Sequence, residues 1–97
     1  MRNLEKKTRT ELKELGMEPH AIKAFLILQK KDIAVMTWDD DSRGHFWIWC
    51  EGITDETELN LEYYDNYFGS DKLNKILEDN GLYFEWYNSA QANVYDA

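Results

Sequence analysis

Two histidines, His20 and His45, and one cysteine, Cys50, are the chain's whole supply of imidazole and thiol groups. Nucleophilic or transition-metal chemistry would have to be built from them. His45 and Cys50 lie five positions apart in a stretch that reads as a β-strand. Side chains alternate across a strand, so this odd separation puts them on opposite faces and they do not form a nucleophile and base pair. His20 can approach either only through tertiary folding. A metal site from Asp39, Asp41 and His45 across a tight turn is geometrically imaginable, but no paired-Cys or paired-His spacing accompanies it.

Residues 39–44 superficially resemble a calcium loop, with Asp39 and Asp41 at the first and third positions and Gly44 at the sixth. Arg43 at the fifth and Cys50 in place of the bidentate Glu exclude an EF-hand. The five glycines are scattered as punctuation, and none forms a phosphate-cradling loop. The expectation is therefore a non-enzymatic chain with no catalytic residue, no metal and no cofactor.

Carboxylates and aromatic rings are the groups in surplus. From Glu51 to Asp65 there are six acidic residues and no basic one: Glu51, Asp55, Glu56, Glu58, Glu62 and Asp65. The turn adds Asp39, Asp40 and Asp41, and Tyr63, Tyr64, Tyr67 and Phe68 are interleaved with the acidic run. The chain holds fourteen aromatic residues in 97, and each buries roughly 150 to 250 Å² when enclosed, more than one small core readily covers. Some are expected at the surface, where Tyr and Trp act as binding anchors.

Positioning these groups requires a scaffold, and residues 33–50 read as its centre. Ile33 to Trp38 and His45 to Cys50 are two apolar runs separated by a polar turn, which predicts a β-hairpin. Phe46, Ile48 and Cys50 share one face, and His45, Trp47 and Trp49 the other. Both faces are apolar, so the hairpin is expected in mid-sheet, with helices on one side, aromatic packing or a partner on the other, and Trp47 and Ile48 both largely buried. Leu4, Thr8, Leu12 and Leu15 predict a first amphipathic helix stopped by Gly16. Pro19 opens a second helix over 19–30, with Ile22, Phe25, Leu26 and Gln29 as its stripe.

Ser70 is placed to cap a third helix over 70–80, with Leu73, Ile76 and Leu77 buried and Gly81 ending it. Leu82, Phe84 and Trp86 alternate with Tyr83, Glu85 and Tyr87 as a strand over 82–87. Asn88 to Asn93 reads as a turn, and 93–96 as a short returning strand. Residues 52–68 fit both strand and helix periods and read as a long connection with a short ordered piece. The fold class is α+β: one domain over 1–97, with a small antiparallel sheet against two N-terminal helices and one later helix.

Charge narrows the partners. Residues 1–31 carry eight Lys/Arg against four Glu, whereas residues 32–97 carry three Lys/Arg against fifteen Asp/Glu, giving the net −8 of the whole chain. So acidic a body repels a duplex or an anionic membrane. A lone cysteine forms no internal disulfide and fits a reducing cytoplasm, and no signal-like or membrane-spanning apolar run is present.

The leading expectation is a binding protein that places its acidic, Tyr-rich surface (residues 39–41 and 51–68) in a basic site on another macromolecule. Its sharpest form is an inhibitor imitating nucleic acid, as phage anti-restriction and anti-CRISPR proteins do, with carboxylates standing where phosphates would. One alternative is an enzyme or ligand-binding domain with a pocket lined by Trp47, Trp49 and Trp86. Another is nucleic-acid binding through the basic N-terminal helices. That second helix, however, begins Pro19, His20, Ala21, Ile22, with only Lys23 suited to reading base edges.

Overall fold

The computed structural model describes residues 6–38, 44–50, 61 and 67–97. Three helices lie against one four-stranded antiparallel sheet, an α+β arrangement. The helices are α1 (Arg9–Glu14), α2 (Pro19–Lys30) and α3 (Asp71–Asp79), and the strands are β1 (Val35–Met36), β2 (Phe46–Trp49), β3 (Leu82–Asn88) and β4 (Gln91–Asp96). Among the described residues no helix is long and apolar enough to cross a membrane.

Helix α1 is shorter than the Leu4 to Leu15 spacing predicts. Thr8 sits outside it as N-cap, accepting from the Glu11 amide while the Glu11 carboxylate accepts from the Thr8 amide. This reciprocal cap fixes the start that periodicity alone places earlier. Leu15 is 57% exposed, so Leu12 is the buried anchor. Six residues make a marginal helix alone. Its tether is Gln29, whose side chain exchanges two 2.8 Å hydrogen bonds with the Lys7 backbone.

Helix α2 runs where its sequence places it, from Pro19 in the first turn, and buries Ala21, Ile22, Ala24, Phe25 and Leu28. Asp32 then turns the chain with a φ of 63°, and the Ile33 amide donates to the Leu28 carbonyl, returning the chain to the core. Ser70 caps α3 by accepting from the Leu73 amide, and Leu73 and Leu77 are fully buried.

The strand order is β1-β2-β4-β3. Strand β2 is central, but β1 is an edge strand, so the hairpin as a whole does not occupy mid-sheet as its two apolar faces suggested. Phe46, Ile48 and Cys50 enter the core with Leu82, Ala92, Val94 and the buried residues of the helices. Trp47 and Trp49 on the opposite face are only half-buried, a correction for Trp47 that follows from the helices packing on the other side.

The returning strand is also longer than expected, beginning at Gln91 rather than 93. Its polar residues, Gln91 and Asn93, mask the pattern. Asn93 is almost fully buried, and its amide is satisfied by the Gln91 side chain and the Tyr95 hydroxyl. Neighbours two apart on one strand face can supply such partners, which lets a polar residue enter the sheet.

Cys50 is 5% exposed, and burial pushes its thiol up to about 12. The thiolate is the reacting species, so alkylating reagents should label the folded protein slowly, over hours, and the unfolded protein at once. Labelling of the native thiol within minutes would contradict its place in the core. The same group should weaken the fold in alkali. The unfolded thiol ionises near 9.0 while the native thiol stays protonated to about 12, so its contribution is intact below the first value and lost as pH rises between the two. Cys50→Ala should flatten that alkaline slope in pH-dependent melts.

Candidate functional site

Of the residues singled out by charge and aromatic content, Tyr67 and Phe68 are described. Asp39, Asp40, Asp41, Glu51, Asp55, Glu56, Glu58, Glu62, Tyr63, Tyr64 and Asp65 lie outside the described residues. The two rings stand at the end of the acidic run, beside edge strand β3. Tyr67 and Phe68 meet edge to face at 5.3 Å, and Tyr67 lies 5.7 Å from Trp86, which meets Phe84 edge to face at 5.9 Å. An open groove here is lined by Tyr67, Phe68, Asn74, Tyr83, Phe84, Glu85 and Trp86.

The turn carrying these rings is fixed by side chains from two flanking elements. Trp86 Nε1 donates to the Tyr67 carbonyl at 2.8 Å, and Asn74 Nδ2 on α3 donates to the Phe68 carbonyl at 2.7 Å and the Ser70 carbonyl at 3.2 Å. Phe68 is nevertheless 79% exposed. Covering one such ring with a partner is worth roughly 1.5 to 3 kcal/mol, and little ordering cost remains for a backbone already held. Tyr83 and Tyr87 on β3 are also exposed, but Tyr83 and Glu85, opposite Tyr95 and Asn93, alternate with Phe84 and Trp86 and point to the other side of the sheet.

The tryptophans do not line one pocket. Strand register places Trp86 opposite Ala92 and Ala92 opposite Ile48, so Trp86 shares the helix-facing side of the sheet. Trp47 and Trp49 pair with Asn93 and Gln91 on the other side. At the start of α2, His20 is turned toward Asp96 of β4, while Lys23 stands exposed.

That histidine forms a second cluster. His20 Nε2 lies 2.6 Å and His45 Nε2 2.8 Å from the same oxygen, Oδ1 of Asp96, and the two rings meet nearly perpendicular at 5.1 Å. The imidazole N–H groups donate and the carboxylate accepts. These hydrogen bonds, from His20 first and then His45, hold the Asp96 carboxyl below its usual value. His45 therefore has a carboxylate neighbour supplied by β4, whereas Asp39 and Asp41 lie outside the described residues. Positions 20, 45 and 96 have no local spacing that could announce this cluster.

Comparison of the chain with protein-family models, with curated proteins and with solved structures gives no match.

Proposed function

We propose that this chain is a non-enzymatic binding protein whose carboxylate-rich, aromatic edge occupies a basic site on a partner protein. The observation that carries this reading is Phe68, an aromatic ring 79% exposed on a turn whose backbone is pinned from both sides. A domain with no use for such a ring gains nothing by fixing it in water. The sequence immediately before it supplies the charge, with nine carboxylates and no Lys or Arg over residues 39–41 and 51–68. A groove built for the phosphates of a nucleic acid is the basic site that such a surface suits best, because carboxylates on a folded chain bring no condensed counterion layer with them.

The two kinds of group have separable kinetic roles. Carboxylates steer encounter over distances that salt screens beyond about 8 Å, and buried rings hold the complex once formed. Affinity capture from the host supplies the partner, and surface-binding kinetics at two salt concentrations supply the test. Replacing Asp40, Glu56, Glu58 and Glu62 with their amides should slow association and flatten its salt dependence. Phe68→Ala should instead speed dissociation by about tenfold or more, with Tyr67→Ala acting in the same direction. Binding that ignores both salt and the neutralised carboxylates would reduce the acidic surface to a solubility device.

A further inference from the structure

The His20, His45 and Asp96 cluster lies apart from the aromatic turn and plays no part in the proposed partner binding. We infer that it is a binding site for a single divalent transition metal of borderline softness, with zinc the natural probe. Its two imidazole nitrogens and one carboxylate oxygen come from the start of α2, the residue before β2 and the end of β4, and all lie within 4.8 Å of one another. Two imidazoles with one carboxylate suit zinc or its neighbours in the first transition row, whereas calcium and magnesium demand oxygen ligands. Three protein ligands leave a fourth position for water.

The backbones that carry the ligands are held in place. His20 lies in the first helical turn behind Pro19. The amide of His45 donates to the Val94 carbonyl at 2.8 Å, and Asp96 is paired with Leu82 in the ladder. The side chains themselves have room to adjust. His45 is 18% and Asp96 62% exposed at the side chain, so a hydrated ion can reach them without unfolding the core.

Metal–ligand bonds of about 2.0 to 2.2 Å set tetrahedral donor atoms roughly 3.3 Å apart. The present 2.6 and 2.8 Å contacts must therefore open by about half an ångström, while the two imidazole donors, which lie within 4.8 Å of each other, close toward the same spacing by side-chain rotation. Both Nε2 atoms already aim at Asp96. Coordination through Nε2 requires each ring to carry its proton on Nδ1, so the ion replaces the hydrogen bonds to the carboxylate.

The test is titration of the 97-residue chain, first stripped with a chelator, with zinc chloride in a calorimeter, accompanied by imidazole ¹⁵N spectra. The expected result is one saturable equivalent, large shifts of both Nε2 resonances, and no displacement by millimolar magnesium or calcium. His20→Gln and His45→Gln keep an N–H to donate to Asp96, and each removes a ligand and should weaken zinc binding by at least about 100-fold, since loss of a mere outer-shell partner already costs about 10- to 100-fold. Circular dichroism reports whether each variant folds. If one does not, the Nε2 shifts of the unmodified chain decide alone. Absence of saturable binding to millimolar zinc, or binding that leaves both imidazoles unshifted, would overturn the assignment, the latter moving the ion to the carboxylate-rich surface.

Discussion

Replacing Phe46 with alanine should remove about 3 to 5 kcal/mol of stability. Phe46 is fully buried on the central strand, stands opposite Val94 in the ladder, and meets Phe25 of α2 edge to face at 5.3 Å. Its loss empties the contact between sheet and helix and forfeits an aromatic pair worth roughly 0.5 to 1.5 kcal/mol beyond burial. Domains of this kind have about 5 to 15 kcal/mol in all, so a large fraction is at stake. The measurement is urea unfolding, with the midpoint falling and the slope retained. Trp47→Ala is the informative comparison. Trp47 is larger but only half-buried, so its substitution should cost less than that of Phe46. A one-residue slip in register exchanges the two faces, and the opposite ranking would reveal it.

The parts of the fold legible in the sequence are those whose signals are local and mutually consistent. Pro19 with its apolar stripe marks α2, Ser70 with Leu73 and Leu77 marks α3, and the alternation from Leu82 to Tyr87 marks β3. Elsewhere a side-chain hydrogen bond changes what the pattern means. Thr8 reads as a stripe residue by spacing and is a cap by chemistry. Asn93 reads as turn by type and is a buried strand residue because Gln91 and Tyr95 satisfy it. Trp47 is half-buried despite its apolar neighbours for a different reason: apolar composition does not say on which side the helices pack.

The candidate sites divide in the same way. Tyr67 and Phe68 are conspicuous in sequence because rings and carboxylates are concentrated there, although the fixing of their turn by Asn74 and Trp86 is a tertiary fact. The histidine cluster has no counterpart in sequence. His20 and Asp96 are 76 positions apart and meet only because α2 begins over the end of β4.

Gly44→Ala should be the other severe change, and it joins fold to site. Gly44 has a φ of 83°, and a methyl group on it would overlap the Val94 carbonyl oxygen. That oxygen accepts the His45 amide, so relieving the clash means pushing β4 away from the residue that carries the imidazole. Left-handed backbone costs an alanine about 1 to 2 kcal/mol, and forcing the overlap apart adds roughly 1 to 3 kcal/mol. Gly16→Ala separates the two contributions, because Gly16 has a φ of 85° with nothing within 4 Å of the added methyl. It should show the conformational cost alone. Denaturant melts of the two variants should therefore differ by the clash, and the Gly44 variant alone should show altered His45 resonances as its imidazole leaves Asp96. Equal losses for the two glycines would mean that the chain before β2 does not approach β4 this closely, and the placement of His45 would fall with it.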